Sequence, residues 1–301
     1  MSVRAFRGRD ERLFGLVGYV LVGTLALLCL LPFLAVISGS LSSERDVIIR
    51  GYRLIPENFS VQAYQQVFSG RYSRSPITRG FVNSLYVTSV GTVLGLLMIS
   101  AGGYVLQHRD FKYRNALAFF FYFAGIFRAG MVPRFILFAN ILRLRNTYLI
   151  LILTGMATMW YVIIMRTFIK TIPYELSEAA KIEGASDFSI YARIILPLSK
   201  PGLAAIGLFL ALQYWNDWFT ASLYISNSNL FPLQFVLYQM LRSAEFLMSD
   251  VASQLSRAVE RPPLETIRLA TAVIVTIPIL LVYPFLQRYI MSGLLIGSVK
   301  G

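Results

Sequence analysis

The sequence holds few side chains that could carry out covalent chemistry or bind a metal ion. Among its 301 residues it has one histidine, His108, and one cysteine, Cys29. These counts exclude a metal site built from several histidines and argue against a Cys–His nucleophilic pair. The phosphate-binding pattern G-x-x-x-x-G-K-[ST] is absent as well. We therefore predict that the chain is not an enzyme and holds no cofactor of its own.

Two arginines, Arg128 and Arg134, lie inside an apolar run at 116–140. An arginine at the centre of a bilayer costs about 2.5–3.5 kcal/mol on insertion scales, so such a residue is a candidate for function. Because the two are six residues apart, their side chains diverge around a helix and need not share one ligand. Two interpretations stay open. Either they line a path for an anionic solute, or they pair with helix dipoles or carboxylates of a neighbouring subunit.

A polar and aromatic cluster interrupts a later apolar run at 202–224. Aromatic faces stack on sugar rings and amides bind hydroxyls, so the cluster suits a saccharide path. It begins about 11 residues into the run, which places it near the middle of a bilayer. The alternative is the interfacial belt that Trp and Tyr favour. The candidate residues are Gln213, Tyr214, Trp215, Asn216 and Trp218, with Asp217 between them.

In the second half of the sequence, one stretch between two apolar runs mixes charges freely with small residues: "ELSEAAKIEGASDFSIYARIILPLSKPG", residues 175–202. Pro173 suits a first helical position, and 174–183 is rich in Ala, Leu and Glu, so we predict a helix there. Gly184 is placed to end it in the left-handed conformation. Ser186 is expected to cap a second helix that Pro197 stops.

One face of the first predicted helix carries Glu175, Glu178 and Ile182, at spacings of three and four. Ala179 and Ala180 add little bulk, so another surface could approach the backbone closely. This pattern favours a docking element for a soluble partner. The alternative is an amphipathic helix on the bilayer surface, although such helices prefer Lys and Arg on their polar face.

The elements that must position these residues are membrane-spanning helices. The sequence is 56% hydrophobic and 14% charged, with a mean hydropathy of +0.62, whereas soluble domains carry about 25% charged residues. A span needs roughly 20 apolar residues, and these run continuously instead of alternating as in barrel strands. We predict an all-α integral membrane protein with one transmembrane domain over 1–301. Six runs are long enough: about 13–37, 80–106, 116–140, 148–170, 202–224 and 268–290.

The net charge of +13 does not indicate a nucleic-acid site, because the basic residues flank apolar runs instead of forming one patch. The positive-inside rule is most reliable for the basic N-terminal tail and the tight turn at 107–115, and it places both in the cytoplasm. With an even number of spans, the C-terminus is cytoplasmic too. Residues 171–201 then form a cytoplasmic loop, and 38–79 and 225–267 are external.

The predicted cytoplasmic loop contains a motif whose defining residues are spread from 178 to 197. In order it reads Glu178-Ala179-Ala180, three residues, Gly184, nine residues, Ile194, one residue, and Leu196-Pro197. This pattern matches the "EAA" motif of permeases of binding-protein-dependent ABC importers. The runs "IPYELSEAAKIEGAS" and "QRYIMSGLLIGSVKG" resemble the MalG-like carbohydrate subgroup, and the similarity extends over nearly the whole chain.

The resemblance implies a type I ABC importer permease, with six transmembrane helices and a cytoplasmic coupling helix in the loop 171–201. It implies a place in the bacterial inner membrane and several partners: lipid, a second homologous permease in a heterodimer, two ATPase subunits that bind ATP and Mg²⁺, and an extracytoplasmic solute-binding protein. In the family, the EAA helix sits in a cleft of one ATPase. The coupling residues carried over are Glu178, Ala179, Ala180 and Gly184 in that joint, with Ile194, Leu196 and Pro197 fixing its angle to the fifth span.

Two further runs, "GMVPRFILFANILRLRNTY" and "QYWNDWFTASLYI", resemble the branch that handles complex oligosaccharides, including uronate-containing ones such as alginate. The resemblance thus implies oligosaccharide import, while a neutral oligosaccharide or another polar solute stays open. A secondary transporter should show repeated halves and buried coupling carboxylates, and the predicted spans hold only Asp217. A channel would need no acidic docking helix.

Overall fold

The computed structural model describes residues 9–68, 76–127, 129–156, 158–248 and 264–298. These residues are helical apart from their connections and one isolated β-bridge between Ser42 and Phe59. Contacts divide the chain into two compact units. Unit 1 comprises 1–73 and 240–274, and unit 2 comprises 74–239 and 275–301.

The helices are defined by their residue ranges. Unit 1 contains α1 (Arg9–Ser40), α2 (Glu44–Arg50) and α3 (Gln62–Phe68). Unit 2 begins with α4 (Pro76–Gln107), α5 (Arg114–Ile126), α6 (Met131–Phe135), α7 (Tyr148–Met156), α8 (Met159–Ile169) and α9 (Glu175–Ile182). It continues with α10 (Asp187–Ile190), α11 (Leu196–Leu198), α12 (Lys200–Trp215) and α13 (Phe219–Tyr224). The last two helices among the described residues are α14 (Leu233–Met248) and α15 (Leu264–Ser298).

Three helices among the described residues are long and apolar enough to cross a bilayer: α1, α4 and the part of α15 at Glu265–Val282. They coincide with the first, second and sixth predicted runs. Up to six spans result if each of three bent helix pairs counts as one. The prediction of six helical segments is therefore compatible with the fold, but the three middle segments are not straight helices.

The third predicted run, 116–140, breaks into two helices that differ in direction by 111°. α5 ends at Ile126, and α6 begins after Gly130, whose φ of +83° is left-handed. Pro133 is tolerated because it lies in the first turn of α6, where no backbone N–H partner is needed. A π-helical segment, Ile136–Ile141, follows. A single span was expected here, and Gly130 and Pro133 together explain why the chain turns.

The fourth and fifth predicted runs also differ from single helices. The run 148–170 is formed by α7 and α8, bent by 51°. The run 202–224 stops early, because α12 ends at Trp215 and Asn216 caps it. Asp217 then accepts a hydrogen bond from the backbone N–H of Thr220 (3.0 Å), which starts α13. Polar side chains that compete for backbone groups are the physical cause of this break.

α4 is the central helix of unit 2 and packs against α7, α8 and α12. Small residues allow this close approach, as they do at many transmembrane helix interfaces. A Cβ atom added at Gly91 would lie 2.6 Å from the Tyr214 ring of α12, and one added at Gly95 would lie 2.6 Å from Leu210. From the other side, a Cβ at Gly155 of α7 would meet the Tyr214 ring at 2.7 Å. The Tyr214 side chain therefore packs α12 against both α4 and α7.

Within unit 1, a carboxylate of α2 caps the start of α15 and so joins two segments that are distant in sequence. Glu44 of α2 accepts hydrogen bonds from the backbone N–H groups of Glu265 (2.9 Å) and Thr266 (2.8 Å), and from the Thr266 hydroxyl (2.6 Å). These are N–H groups of the first turn of α15, which have no partner within the helix. The negative charge also complements the positive end of the helix dipole.

Candidate functional site

The acidic helix predicted at 174–183 is present as α9, Glu175–Ile182, with Tyr174 and Glu183 as its caps. Pro173 was expected at the first helical position, and this was wrong by two residues. The carbonyl of Tyr174 already accepts hydrogen bonds from the N–H groups of Ser177 (2.9 Å) and Glu178 (3.1 Å), so the helix begins after it.

Gly184 ends α9 as predicted, with φ at +83°. Its N–H donates to the carbonyl of Lys181 (3.0 Å), and the N–H of Ala185 donates to that of Ala180 (2.9 Å). This pair of bonds is the Schellman motif, which satisfies the last carbonyls of a helix and turns the chain away. A side chain at 184 would meet no atom within 4 Å, so the constraint at this position is the backbone conformation alone.

The two faces of α9 differ sharply. Ser177 and Ala180 are buried, Ala180 in the hydrophobic core, whereas Glu178 and Ala179 are exposed. Ile182 is 88% exposed, which is unusual for an isoleucine. The expectation that Ala180 leaves room for an external surface does not fit, because Ala180 lies three residues from Ser177 and packs inward with it. The outward face combines carboxylates with an apolar contact.

The second half of the loop begins as predicted. The Ser186 hydroxyl accepts from the N–H of Ser189 (3.3 Å), and Asp187 occupies the first turn. Pro197 does not stop this helix, which continues through a π-helical segment, Tyr191–Ile195, to Leu198. Because proline lacks an N–H, a wider turn before it accommodates the missing bond. The chain then changes direction by 78° into α12. Around this bend Ile194 and Leu196 are half-buried and Pro197 is exposed.

The turn between α4 and α5 lies against this loop, a contact that no sequence motif indicated. The Lys181 ammonium lies 2.7 Å from the Asp110 carboxylate. The hydrogen bond and charge of Lys181 lower the pKa of Asp110, and the same hydrogen bond raises the pKa of Lys181. His108, without an assigned role in the sequence, has its Nε2 atom 3.1 Å from Asp187.

The predicted sugar-path cluster separates into two groups. Tyr214 and Trp215 are buried, which contradicts their expected exposure to a path. The Tyr214 hydroxyl donates to the carbonyl of Ile152 (2.6 Å), and the Trp215 Nε1–H donates to that of Val275 (3.0 Å). Glycines on α4 and α7 leave the space that the Tyr214 ring fills, so its role is in packing.

Gln213, Asn216 and Trp218 are exposed, and α14 extends their surface. The Asn216 carbonyl oxygen accepts from the amide of Gln234 (3.0 Å). The Trp218 ring stacks on Tyr238, with centroids 4.2 Å apart and planes 19° apart. Gln234 and Tyr238 were missed because α14 was read as part of an irregular external loop. The resulting surface has an aromatic platform beside amide groups.

Of the two arginines, Arg134 is exposed on α6. Its Nη2 atom donates to the carbonyl of Thr154 (3.2 Å), and its guanidinium carbon lies 5.9 Å from the centre of the Phe138 ring. Arg128 lies outside the described residues. Among the residues that are described, no group of three or more His, Cys, Asp or Glu side chains could hold a metal ion.

Comparisons with known proteins identify the family of the chain. Residues 91–295 match the family described as "Binding-protein-dependent transport system inner membrane component". The chain is 38% identical over 291 residues to the polygalacturonan/rhamnogalacturonan transport system permease protein YtcP of Bacillus subtilis (strain 168), covering 97% of this chain and 99% of that protein. It is 30% identical to the arabinooligosaccharides transport system permease protein AraQ of Halalkalibacterium halodurans, covering 92% of this chain and 93% of that one.

A solved structure is similar as well. It is the crystal structure of a bacterial ABC transporter involved in the import of the acidic polysaccharide alginate, with a TM-score of 0.81 and 29% identity, covering 95% of this chain and 99% of that one. The family match decides against a secondary transporter and against a channel. In this family the permease is not catalytic, since ATP hydrolysis belongs to a separate subunit, and a solute-binding protein delivers the cargo. The all-α chain with its exposed acidic helix is therefore a member of the inner-membrane permease family of binding-protein-dependent ABC importers.

Proposed function

We propose that this permease imports an oligosaccharide that contains uronate residues. The observation that carries the proposal is a surface on which exposed Trp218 and Asn216 contact half-buried Tyr238 and Gln234. It is supported by the similarity to a polygalacturonan/rhamnogalacturonan permease and to an importer of the acidic polysaccharide alginate. Stacked rings offer a flat face to a sugar, and amides bind its hydroxyls. The exposed guanidinium of Arg134 adds a positive charge for a carboxylate.

The energy for import comes from a partner ATPase that binds ATP and Mg²⁺ and contacts the outward face of α9. Glu178, Ala179 and Ile182 supply that face, and Gly184 fixes where the helix ends. Ala180 contributes from the buried face, by packing α9 against the hydrophobic core. The bend formed by Ile194, Leu196 and Pro197 sets the angle between this loop and α12. In this proposal the whole chain works as one transmembrane domain.

The second permease of the proposed heterodimer has a large apolar surface available. The most apolar stretch of α1 has no buried residue, and Phe119, Phe120 and Phe123 on α5 are exposed. Lipid covers part of such a surface, and a homologous subunit is proposed to cover the rest. In this proposal both chain termini are cytoplasmic.

The substrate is tested with the complete transporter in proteoliposomes, supplied with its solute-binding protein. We expect ATP-dependent uptake of a labelled oligogalacturonate and none of a neutral arabino-oligosaccharide of equal length. Trp218→Ala should lower uptake roughly two- to tenfold, because it removes the stacking face. Trp160→Ala is the matched control, since Trp160 is also exposed but lies on α8. Uptake of the neutral sugar alone would reject the anionic substrate.

The coupling role has its own test. Glu178→Arg should leave the complex assembled and able to hydrolyse ATP while uptake falls, because a cation replaces the carboxylate on the docking face. Lys170→Glu reverses an exposed charge at the end of α8, directly before the loop 171–201, and serves as the control. Normal uptake by the Glu178→Arg complex would rule out this face as the joint.

A further inference from the structure

The coupling loop is connected to the membrane helices in two ways. Its covalent connections lead to α8 on one side and to α12 on the other. A second, noncovalent connection leads to the turn between α4 and α5, whose residues are more than 70 positions away in sequence, with separations of 71 and 79. We call this second connection the brace and define it by His108, Arg109 and Asp110 on the turn side, with Tyr174, Lys181 and Asp187 on the loop side.

Lys181 lies at the centre of the brace. It projects from the last turn of α9, and its ammonium lies 2.7 Å from Asp110 and 3.6 Å from Asp187. An ammonium has three donors, so a single side chain can join three elements. Here it joins α9, the α4–α5 turn and the start of α10. Its side chain is 32% exposed, against 66% for Asp110.

His108 forms the part of the brace closest to the membrane helix. Its side chain is only 13% exposed, and its Nε2 atom lies 3.1 Å from Asp187. Its ring meets Tyr104 of α4 edge-on at 5.7 Å, and Tyr104 in turn contacts the Tyr191 ring at 5.4 Å. The Tyr191 hydroxyl shares a hydrogen bond of 2.7 Å with Ser100, one turn further along α4. The contact thus continues from the loop into the helix.

Arg109 completes the brace at the other end of α9. Its guanidinium carbon lies 4.3 Å from the centre of the Tyr174 ring, and Tyr174 is the residue that caps the start of α9. Arginine stacks well on aromatic faces. With Lys181 near the C-terminus, α9 is therefore held to the α4–α5 turn at both of its ends.

We propose that the brace transmits movement of the coupling helix to α4, in addition to the movement that passes through α8 and α12. This inference rests on the proposed function of α9 as the contact of the ATPase. α4 packs against α7, α8 and α12, so a displacement of its cytoplasmic end reaches every helix around the centre of unit 2. The brace makes α4, α5 and the loop 171–201 move as one rigid element.

The burial of α9 explains why such a connection is needed. Its inner face offers only small buried side chains, Ser177 and Ala180, which resist sliding and rotation poorly. Partly exposed ion pairs contribute little to folding, since solvent screens them. They do fix geometry, however, because each requires its partners at a set distance. The brace therefore acts on the orientation of α9, and its members are positioning residues.

The test uses the complete transporter in proteoliposomes and amide hydrogen exchange, so it does not depend on knowing the sugar. ATP with vanadate traps the closed ATPase dimer, and the exchange of peptides from 174–183 and 100–113 is compared with the nucleotide-free state. In the natural protein we expect both peptides to change. In Lys181→Met we expect the change in 174–183 to persist and the change in 100–113 to fall about fivefold or more.

Three further variants distinguish a role in positioning α9 from a role in stability. Lys181→Arg keeps the positive charge and should restore the response of 100–113. Lys112→Met removes a lysine of the same turn whose ammonium lies 5.9 Å from the Tyr113 ring, and it should behave like the natural protein. Asp110→Asn removes the negative charge of the same ion pair, on its more exposed partner. It should reproduce the effect of Lys181→Met.

Three results would overturn either the inference or the proposed ATPase contact. If 174–183 responds and 100–113 responds equally in Lys181→Met, the brace does not transmit movement and the inference is overturned, while the role of α9 stands. If 174–183 fails to respond in the natural protein, the proposed ATPase contact itself is wrong. If Lys181→Met and Asp110→Asn both fail to assemble, the contacts hold the fold instead of transmitting movement, which also overturns the inference.

Discussion

Gly184 and Tyr214 show how single residues shape this permease. Gly184 supplies a left-handed φ of +83° with open space around its Cα atom, so its role depends on conformation and not on packing. Tyr214 does the reverse, because its ring fills the space left by Gly91 and Gly155 and its hydroxyl binds the carbonyl of Ile152. The first role was visible in the sequence, since a glycine after a helical run is a common end signal. The second was not, because no sequence pattern shows which glycines face an aromatic ring.

Gly184→Val should uncouple the transporter. A β-branched residue in the left-handed region costs about 1–2 kcal/mol, so the end of α9 would rearrange and its outward face would shift. We expect ATP hydrolysis to continue while uptake per ATP falls in proteoliposomes. Gly184→Asn is the matched control, because asparagine tolerates this conformation, and it should retain most uptake. Equal uptake by the two variants would show that the backbone conformation at 184 is unimportant.

At the level of elements, the loop 171–201 was predicted more accurately than the spans. Capping signals such as Ser186 and Gly184 act within a few residues, so they can be read locally. The bend between α5 and α6 was missed because the whole run 116–140 is apolar, and length alone suggested one helix. Gly130 followed by Pro133 was the available signal. The contact of His108 with Asp187 joins residues 79 positions apart, a distance over which propensity carries no information.

The Lys181–Asp110 ion pair of the brace should be insensitive to pH over the physiological range. The lowered pKa of Asp110 gives a contribution that is present above its ordinary value of 3.8 and is lost as the pH falls through the lowered pKa. The raised pKa of Lys181 gives a contribution that is present below 10.5 and is lost as the pH rises through the raised pKa. We expect the part of the vanadate-dependent exchange of 100–113 that Lys181→Met removes to be constant from roughly pH 5 to pH 9, after correction for intrinsic exchange. A midpoint inside this interval would mean that another group controls the contact.

For the whole molecule, composition and the positions of apolar runs were sufficient to predict an all-α membrane protein. They could not show which apolar surfaces meet other proteins, because lipid and a partner helix select the same residues. The same ambiguity applies to the residues predicted to line a sugar path. Tyr214 and Trp215 are buried in the core, whereas Trp218 is exposed. Orientation depends on a property outside the folded chain, the charge asymmetry that acts during insertion.

The proposed orientation can be measured with single cysteines in a Cys29→Ser background. Lys112→Cys lies in the turn after α4, and Arg145→Cys lies in the connection before α7, and both positions are exposed. In cells whose inner membrane is intact, a membrane-impermeant maleimide should label Arg145→Cys directly. It should label Lys112→Cys only after the inner membrane is disrupted. The opposite pattern would invert the topology.

The exposed surface of α1 should affect how long the unassembled chain persists in the cell. Its most apolar stretch contacts no other part of the described chain closely enough to be buried, so α1 can insert and remain stable in lipid before any partner arrives. A subunit made in excess would then present a permanently unmatched helix to the proteases that survey the inner membrane. We expect the half-life of this chain to depend on co-expression of the second permease, which would keep the two subunits in equal amounts without matched rates of synthesis.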